Sequence, residues 1–135
     1  MIANGKTILY AEDDPNDLMI FQMRFNRATL PHSLNVVEDG QAAIDWLSGK
    51  GKFSDREKFP LPNLLILDLK MPRKTGFDVL EWVRSNPEFQ SMKCIVLSSS
   101  DDPGDVKRAY QLGATSYFVK SVSFDELIHY LRVSA

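Results

Sequence analysis

Apolar residues gather along the chain in five short runs: TILYA (7–11), SLNVV (33–37), NLLIL (63–67), KCIVL (93–97) and SYFV (116–119). Runs of this length, bounded by polar or turn-forming residues, read as buried strands. The stretches between them have the length and spacing of helices. In 102–113, Asp102 and Pro103 supply a start, Val106, Ala109 and Tyr110 share one face, and Gly113 supplies a stop. At the end of the chain Ser123 can cap a helix whose Phe124, Leu127, Ile128 and Leu131 fall at i, i+3, i+4 and i+7. Segments 15–29, 40–48 and 76–86 are the remaining helix candidates. Strand and helix thus alternate five times, which predicts a doubly wound α/β fold: a five-stranded parallel sheet with helices on both faces. One stretch breaks the rhythm. SGKGKFSDREKFPLP (48–62) is charged and carries Gly and Pro, and it reads as a solvated surface loop in preference to an insertion that contacts a partner.

A chain of 135 residues has room for one ordinary domain, taken as 1–135 with no output domain attached. Sixteen basic residues face eighteen acidic ones, and a net charge of −2 gives no electrostatic case for binding nucleic acid. No apolar run approaches the roughly 20 residues of a membrane span, and MIANGK lacks the apolar core of a signal peptide. The single cysteine, Cys94, lies inside an apolar run, so it reads as a buried structural thiol. A cytoplasmic protein is the expectation.

In open α/β sheets ligands sit beyond the carboxyl ends of the strands. There the sequence places Glu12 and Asp13 after the first strand, Asp68 after the third, Ser98 after the fourth and Lys120 after the fifth. Asp14, just before Pro15, reads as a helix cap outside this group. Asp68 ends a run so apolar that both faces of its strand must be covered. Together with Asp13 it can hold Mg²⁺, which takes one or two carboxylates and keeps water elsewhere. A carboxylate oxygen then remains for nucleophilic attack on phosphorus. The charge that spreads over a phosphoryl group in transfer calls for a cation and hydroxyl donors, the chemistry of Lys120 and Ser98.

With ILYAEDDP, LLILDLKMPRKTGFDVL, IVLSSS and GATSYFVK, the chain resembles, over nearly its whole length, the receiver domain of two-component response regulators. The resemblance implies a flavodoxin-like fold with Asp68 as phosphoacceptor, Glu12 and Asp13 beside Mg²⁺, and Lys70 giving the metal a backbone carbonyl. It further implies that Ser98 is the switch hydroxyl, Tyr117 the aromatic that reports phosphorylation, and Lys120 the phosphate-contacting lysine. The partners implied are a sensor histidine kinase or phosphotransfer protein and a downstream protein. The docking surface would be the fourth helix, fifth strand and fifth helix, which could also pair two copies. The loop at 48–62 followed by LPNLLILDLKMPRKTG looks most like single-domain receivers that partner phytochrome-type kinases. One position departs from the family: Ser121 follows Lys120 where proline, often cis, is usual. Two rivals remain in view. A phosphatase with an aspartate nucleophile would carry an acid at Lys70, and a receiver-like module could bind partners without phosphorylation.

Overall fold

The computed structural model describes residues 5–120 and 123–133. The element order is β1 (Thr7–Ala11), α1 (Pro15–Arg27), β2 (Ser33–Val37), α2 (Gly40–Ser48), β3 (Leu64–Leu67), α3 (Gly76–Ser85), β4 (Lys93–Ser98), α4 (Pro103–Gln111), β5 (Ser116–Val119) and α5 (Phe124–Val133). All pairings are parallel and the strand order is β2-β1-β3-β4-β5, the doubly wound topology expected. Chain order reverses between β1 and β3, so a crevice opens where Ala11 and Leu67 end their strands side by side. Among the described residues no helix is long and apolar enough to cross a membrane.

Alternation along the strands sorts the core into two layers. Leu9, Ala11, Leu65, Leu67, Cys94 and Val96 face α2, α3 and α4, while Ile8, Tyr10, Leu64, Ile66, Ile95 and Leu97 face α1 and α5. The central strands β1, β3 and β4 are buried on both faces, which is why their sequences are nearly unbroken apolar runs. SLNVV and SYFV do not share that burial. They form the two edges of the sheet, and apart from exposed Ser33 and buried Val37 they are only partly buried. Tyr110, expected on the apolar face of α4, is 48% exposed, whereas Ala109 is fully covered. Burial pushes the Cys94 thiol up to about 11, as suits an inert structural cysteine.

The stretch 48–62 is not a simple solvated loop. It contains a 3₁₀ turn, Gly51–Ser54, whose Phe53 is buried against Trp46 and Phe59, the three ring centroids lying 5.1–5.3 Å apart. Arg56 crosses this cluster and donates to the carbonyls of Trp46 at 2.7 Å and Leu47 at 2.8 Å. It thereby gives a donor to the Leu47 carbonyl at the end of α2 and a second one to that of Trp46, which already accepts from the Gly49 amide. The other charged residues of the segment, Lys50, Lys52, Asp55, Glu57 and Lys58, are exposed, so the stretch is solvated around this small core.

Two details press the β3–α3 connection into place. A Cβ on Gly76 would collide with the Asp68 carbonyl oxygen and lie 2.9 Å from Leu69 Cα, so α3 can start this close to β3 only with glycine there. Thr75 then closes a capping box: its Oγ1 accepts from the Asp78 amide at 3.2 Å and its own amide donates to Asp78 Oδ2 at 3.0 Å. Thr75→Ala should cost about 0.5–2 kcal/mol of stability, read from urea unfolding. The backbone amide of Thr75 holds the Asp78 carboxyl below its ordinary range. That contribution is present above the unfolded value and fades as pH falls through the folded one, so the deficit of Asp78→Asn should be seen near neutrality and close in acid.

Candidate functional site

The side chains singled out at the strand ends do converge. Lys120 is 8% exposed and its Nζ lies 2.8 Å from Glu12 Oε1, 2.9 Å from Asp68 Oδ2 and 3.0 Å from Asp17 Oδ2. An ammonium has three N–H donors; it donates to Asp17 on α1 and to Asp68 at the end of β3, and it pairs by charge with Glu12 at the end of β1. Burial alone would lower the Lys120 pKa, but the hydrogen bonds and charges of these acids outweigh it and hold it above the ordinary lysine value.

Glu12 is covered almost completely, at 1% exposed, and every oxygen it has is engaged. Oε1 accepts from the Tyr10 hydroxyl at 2.8 Å and is ion-paired with Lys120 at the same distance, and Oε2 accepts from the Asp14 amide at 3.1 Å. Burial is the main influence on its carboxyl, which is raised despite Lys120 and Tyr10, with the Asp68 charge pushing the same way. The Tyr10 phenol is itself raised far beyond its usual range, first by burial and then by Glu12, so it stays a donor. Tyr10→Phe keeps the ring in the core and removes only that bond. It should cost about 1.5–3 kcal/mol, the range for a hydrogen bond to a charged group. An unchanged urea midpoint would mean the hydroxyl does not hold the carboxylate.

Asp13, exposed at the rim, completes an acidic group. Glu12, Asp13 and Asp68 can each present one oxygen with all of these atoms within 4.8 Å of one another. Hard oxygen donors at this spacing suit a small divalent cation, and four carboxylates, counting Asp17, stand against one ammonium. The donor set therefore fits a metal such as Mg²⁺. Asp68 is 5% exposed, and its Oδ1 accepts a long bond from the Lys70 amide at 3.4 Å. Lys70 itself is exposed. Asp14 caps α1, accepting from the amides of Asn16 and Asp17, and stays outside the group as expected.

Ser98 ends β4, fully buried, and its Oγ accepts from the Ser100 amide at 3.2 Å. Tyr117 on β5 donates to the Ser100 carbonyl at 2.7 Å, and burial raises its phenol. Ser100 in turn donates to Asp105 at 2.7 Å, so the β4–α4 loop joins the strand end, the edge aromatic and α4. The Lys120–Ser121 peptide lies outside the described residues.

Two members of the site went unread in the sequence. Asp17 has the ordinary signature of an acid in the first turn of a helix, stabilised there by the dipole, so nothing marks it as a lysine partner. Tyr10 did carry a signal: it sits two residues before Glu12, hence on the same face of β1.

The geometry has counterparts among known proteins. The response regulator receiver domain matches residues 8–132 of this chain. The response regulator Rcp1 of Synechocystis sp. is 34% identical over 122 residues, 90% of this chain and 81% of that protein. A crystal structure of the Mn²⁺-bound form of Rcp1 superposes with a TM-score of 0.80 at 33% identity, covering 94% of this chain and 89% of the other. The phosphorylated cyanobacterial phytochrome response regulator RcpA gives 0.81 at 30% identity, covering 95% and 89%. With acids, lysine and serine at the carboxyl ends of the strands and the aromatic on β5 beside them, the chain belongs to the response regulator receiver domain family, the phosphoacceptor side of two-component signalling.

Proposed function

We propose that Asp68 is the phosphoacceptor, taking a phosphoryl group from a phosphohistidine of a sensor histidine kinase or phosphotransfer protein. The observation that carries this is the contact of Lys120 Nζ with Asp68 Oδ2 beside the carboxylates of Glu12 and Asp13. One oxygen of Asp68 attacks phosphorus, the bond from phosphorus to the imidazole nitrogen breaks, and the released histidine keeps the electron pair of that bond. Glu12, Asp13, Asp68 and the Lys70 carbonyl would hold Mg²⁺, which when bound neutralises charge on the phosphoryl oxygens. Lys120 supplies a second positive charge to those oxygens, and Ser98, at the end of β4, supplies a hydroxyl. The protein carries out no turnover on an outside substrate in this reading. Position 70, two after the nucleophile, is lysine, so the acid and base that a phosphatase would need there is missing.

A phosphoryl group adds about −1.5 to −2 charges at Asp68. Ser98 and Tyr117 then transmit the change, since both are bonded to the loop at Ser100 that leads into α4. The output surface is α4, β5 and α5, where Tyr110 and Val133 are 48% and 63% exposed, and it docks a downstream protein or a second copy of the chain. Similarity to the phytochrome response regulator RcpA supports a phytochrome-type kinase as the donor. The test is labelling by a small-molecule phosphodonor with and without Mg²⁺, in wild type and with Asp68 replaced.

A further inference from the structure

Among the described residues, Asp17 is the one partner of Lys120 that belongs neither to the acidic metal group nor to the nucleophile. It sits in the first turn of α1, one residue after Asn16, and is partly exposed, yet its Oδ2 reaches 3.0 Å from Lys120 Nζ in the crevice. Its backbone is fixed independently, because its amide and that of Asn16 are capped by Asp14 Oδ1 at 3.3 Å and 2.8 Å. Asp14 is fixed in its turn, since its own amide donates to Glu12 Oε2. A rigid link therefore runs from the end of β1 through the cap to a carboxylate aimed at the lysine.

We propose that Asp17 is a positioning residue for phosphoryl transfer, holding the Lys120 ammonium over Asp68. The proposal rests on the reading of Asp68 as the phosphoacceptor. A lysine carries a flexible four-carbon stem, and Glu12 and Asp68 both belong to the group that would hold the cation. When a divalent ion takes up charge on those two carboxylates, their pull on the ammonium weakens. Asp17 lies outside that group and keeps its hold, so the lysine stays over the acceptor oxygen while the phosphoryl group arrives. Without Asp17 the ammonium spends part of its time elsewhere, and misplacement of a group that acts on the transition state slows the reaction.

The experiment compares wild type with Asp17→Ala, Asp17→Asn and Asp17→Glu, using acetyl phosphate as donor across a Mg²⁺ titration. Asp17→Ala should label about tenfold more slowly at saturating Mg²⁺, a change equivalent to about 1.4 kcal/mol, and Asp17→Asn, which keeps an acceptor but no charge, should fall between. Asp17→Glu restores the charge and should recover part of the rate. The second readout needs neither metal nor donor. The Lys120 Nζ protons, held among three carboxylates, should give a slowly exchanging ammonium resonance in the wild type that is lost or sharply broadened in Asp17→Ala. A normal rate at saturating Mg²⁺ would overturn the proposal, and so would a defect that saturating metal abolishes, since Asp17 would then act only by attracting the ion. An ammonium resonance unchanged in Asp17→Ala would overturn it equally. Asp68→Asn, run alongside, separates the two ideas. If it labels, the phosphoacceptor assignment has failed; if it does not and the Asp17 variants match wild type, only the positioning role has.

Discussion

Asp68→Asn protein mixed with acetyl phosphate and Mg²⁺ should gain no phosphoryl mass, under conditions where the wild type is labelled and Asp14→Asn is labelled as well. The amide has the shape of the carboxylate but no anionic oxygen to form the bond to phosphorus, so the loss should be complete. Misfolding would not explain it. Asp68 stands among Glu12, Asp13 and Asp17 with one lysine between them, and removing one of these charges relieves repulsion in the crevice. The urea midpoint of Asp68→Asn should therefore equal or exceed that of the wild type in the absence of divalent metal. Asp14→Asn is the informative control because Asp14 is next to Asp13 in the chain but is spent on the helix cap. Normal labelling of Asp68→Asn would remove the nucleophile assignment, and failure of Asp14→Asn would mean the cap is part of the site.

What could be read from the sequence follows from which forces act locally. Strand ends at Ala11 and Leu67 fall where the apolar runs stop, because a strand buried on both faces has no polar face to blur its limits. The site followed from the same runs: a charge placed directly after them has to lie at the carboxyl edge of the sheet. Edge burial was not legible, since SLNVV and KCIVL look alike until strand order is known. The segment 48–62 was misread for a related reason. Its core is three aromatics spaced unevenly from Trp46 to Phe59, a pattern with no helical or strand period, and Arg56 reads as a surface cation until its carbonyl partners are seen. Asp17 was hidden because its contact partner is 103 residues away, on another element.

Lys120→Met should lower stability by about 3–5 kcal/mol in metal-free buffer near neutral pH, the range for removing one partner of a buried ion pair. Methionine fills similar space, so the loss reports charge and not a cavity. The lysine side chain is 6% exposed and those of Glu12 and Asp68 are 0% and 7%, so these acids cannot turn to water when the ammonium goes. Divalent metal should restore part of the loss by neutralising the same carboxylates. At a concentration one hundredfold above the dissociation constant, mass action contributes about 2.7 kcal/mol, which brings the variant more than half of the way back to the metal-free wild type. The pH dependence gives a second signature. In the wild type the Lys120 value is raised, so its contribution is complete below the ordinary lysine value and is lost only as pH rises through the folded one. In the variant the Glu12 carboxyl, already raised by burial, loses the lysine that was lowering it and rises further. An acid with a raised value binds its proton more tightly in the folded state, so the variant should gain on the wild type as pH falls through that value. A deficit that neither Mg²⁺ nor acid reduces would mean that the stem of Lys120, and not its charge, is what the crevice needs.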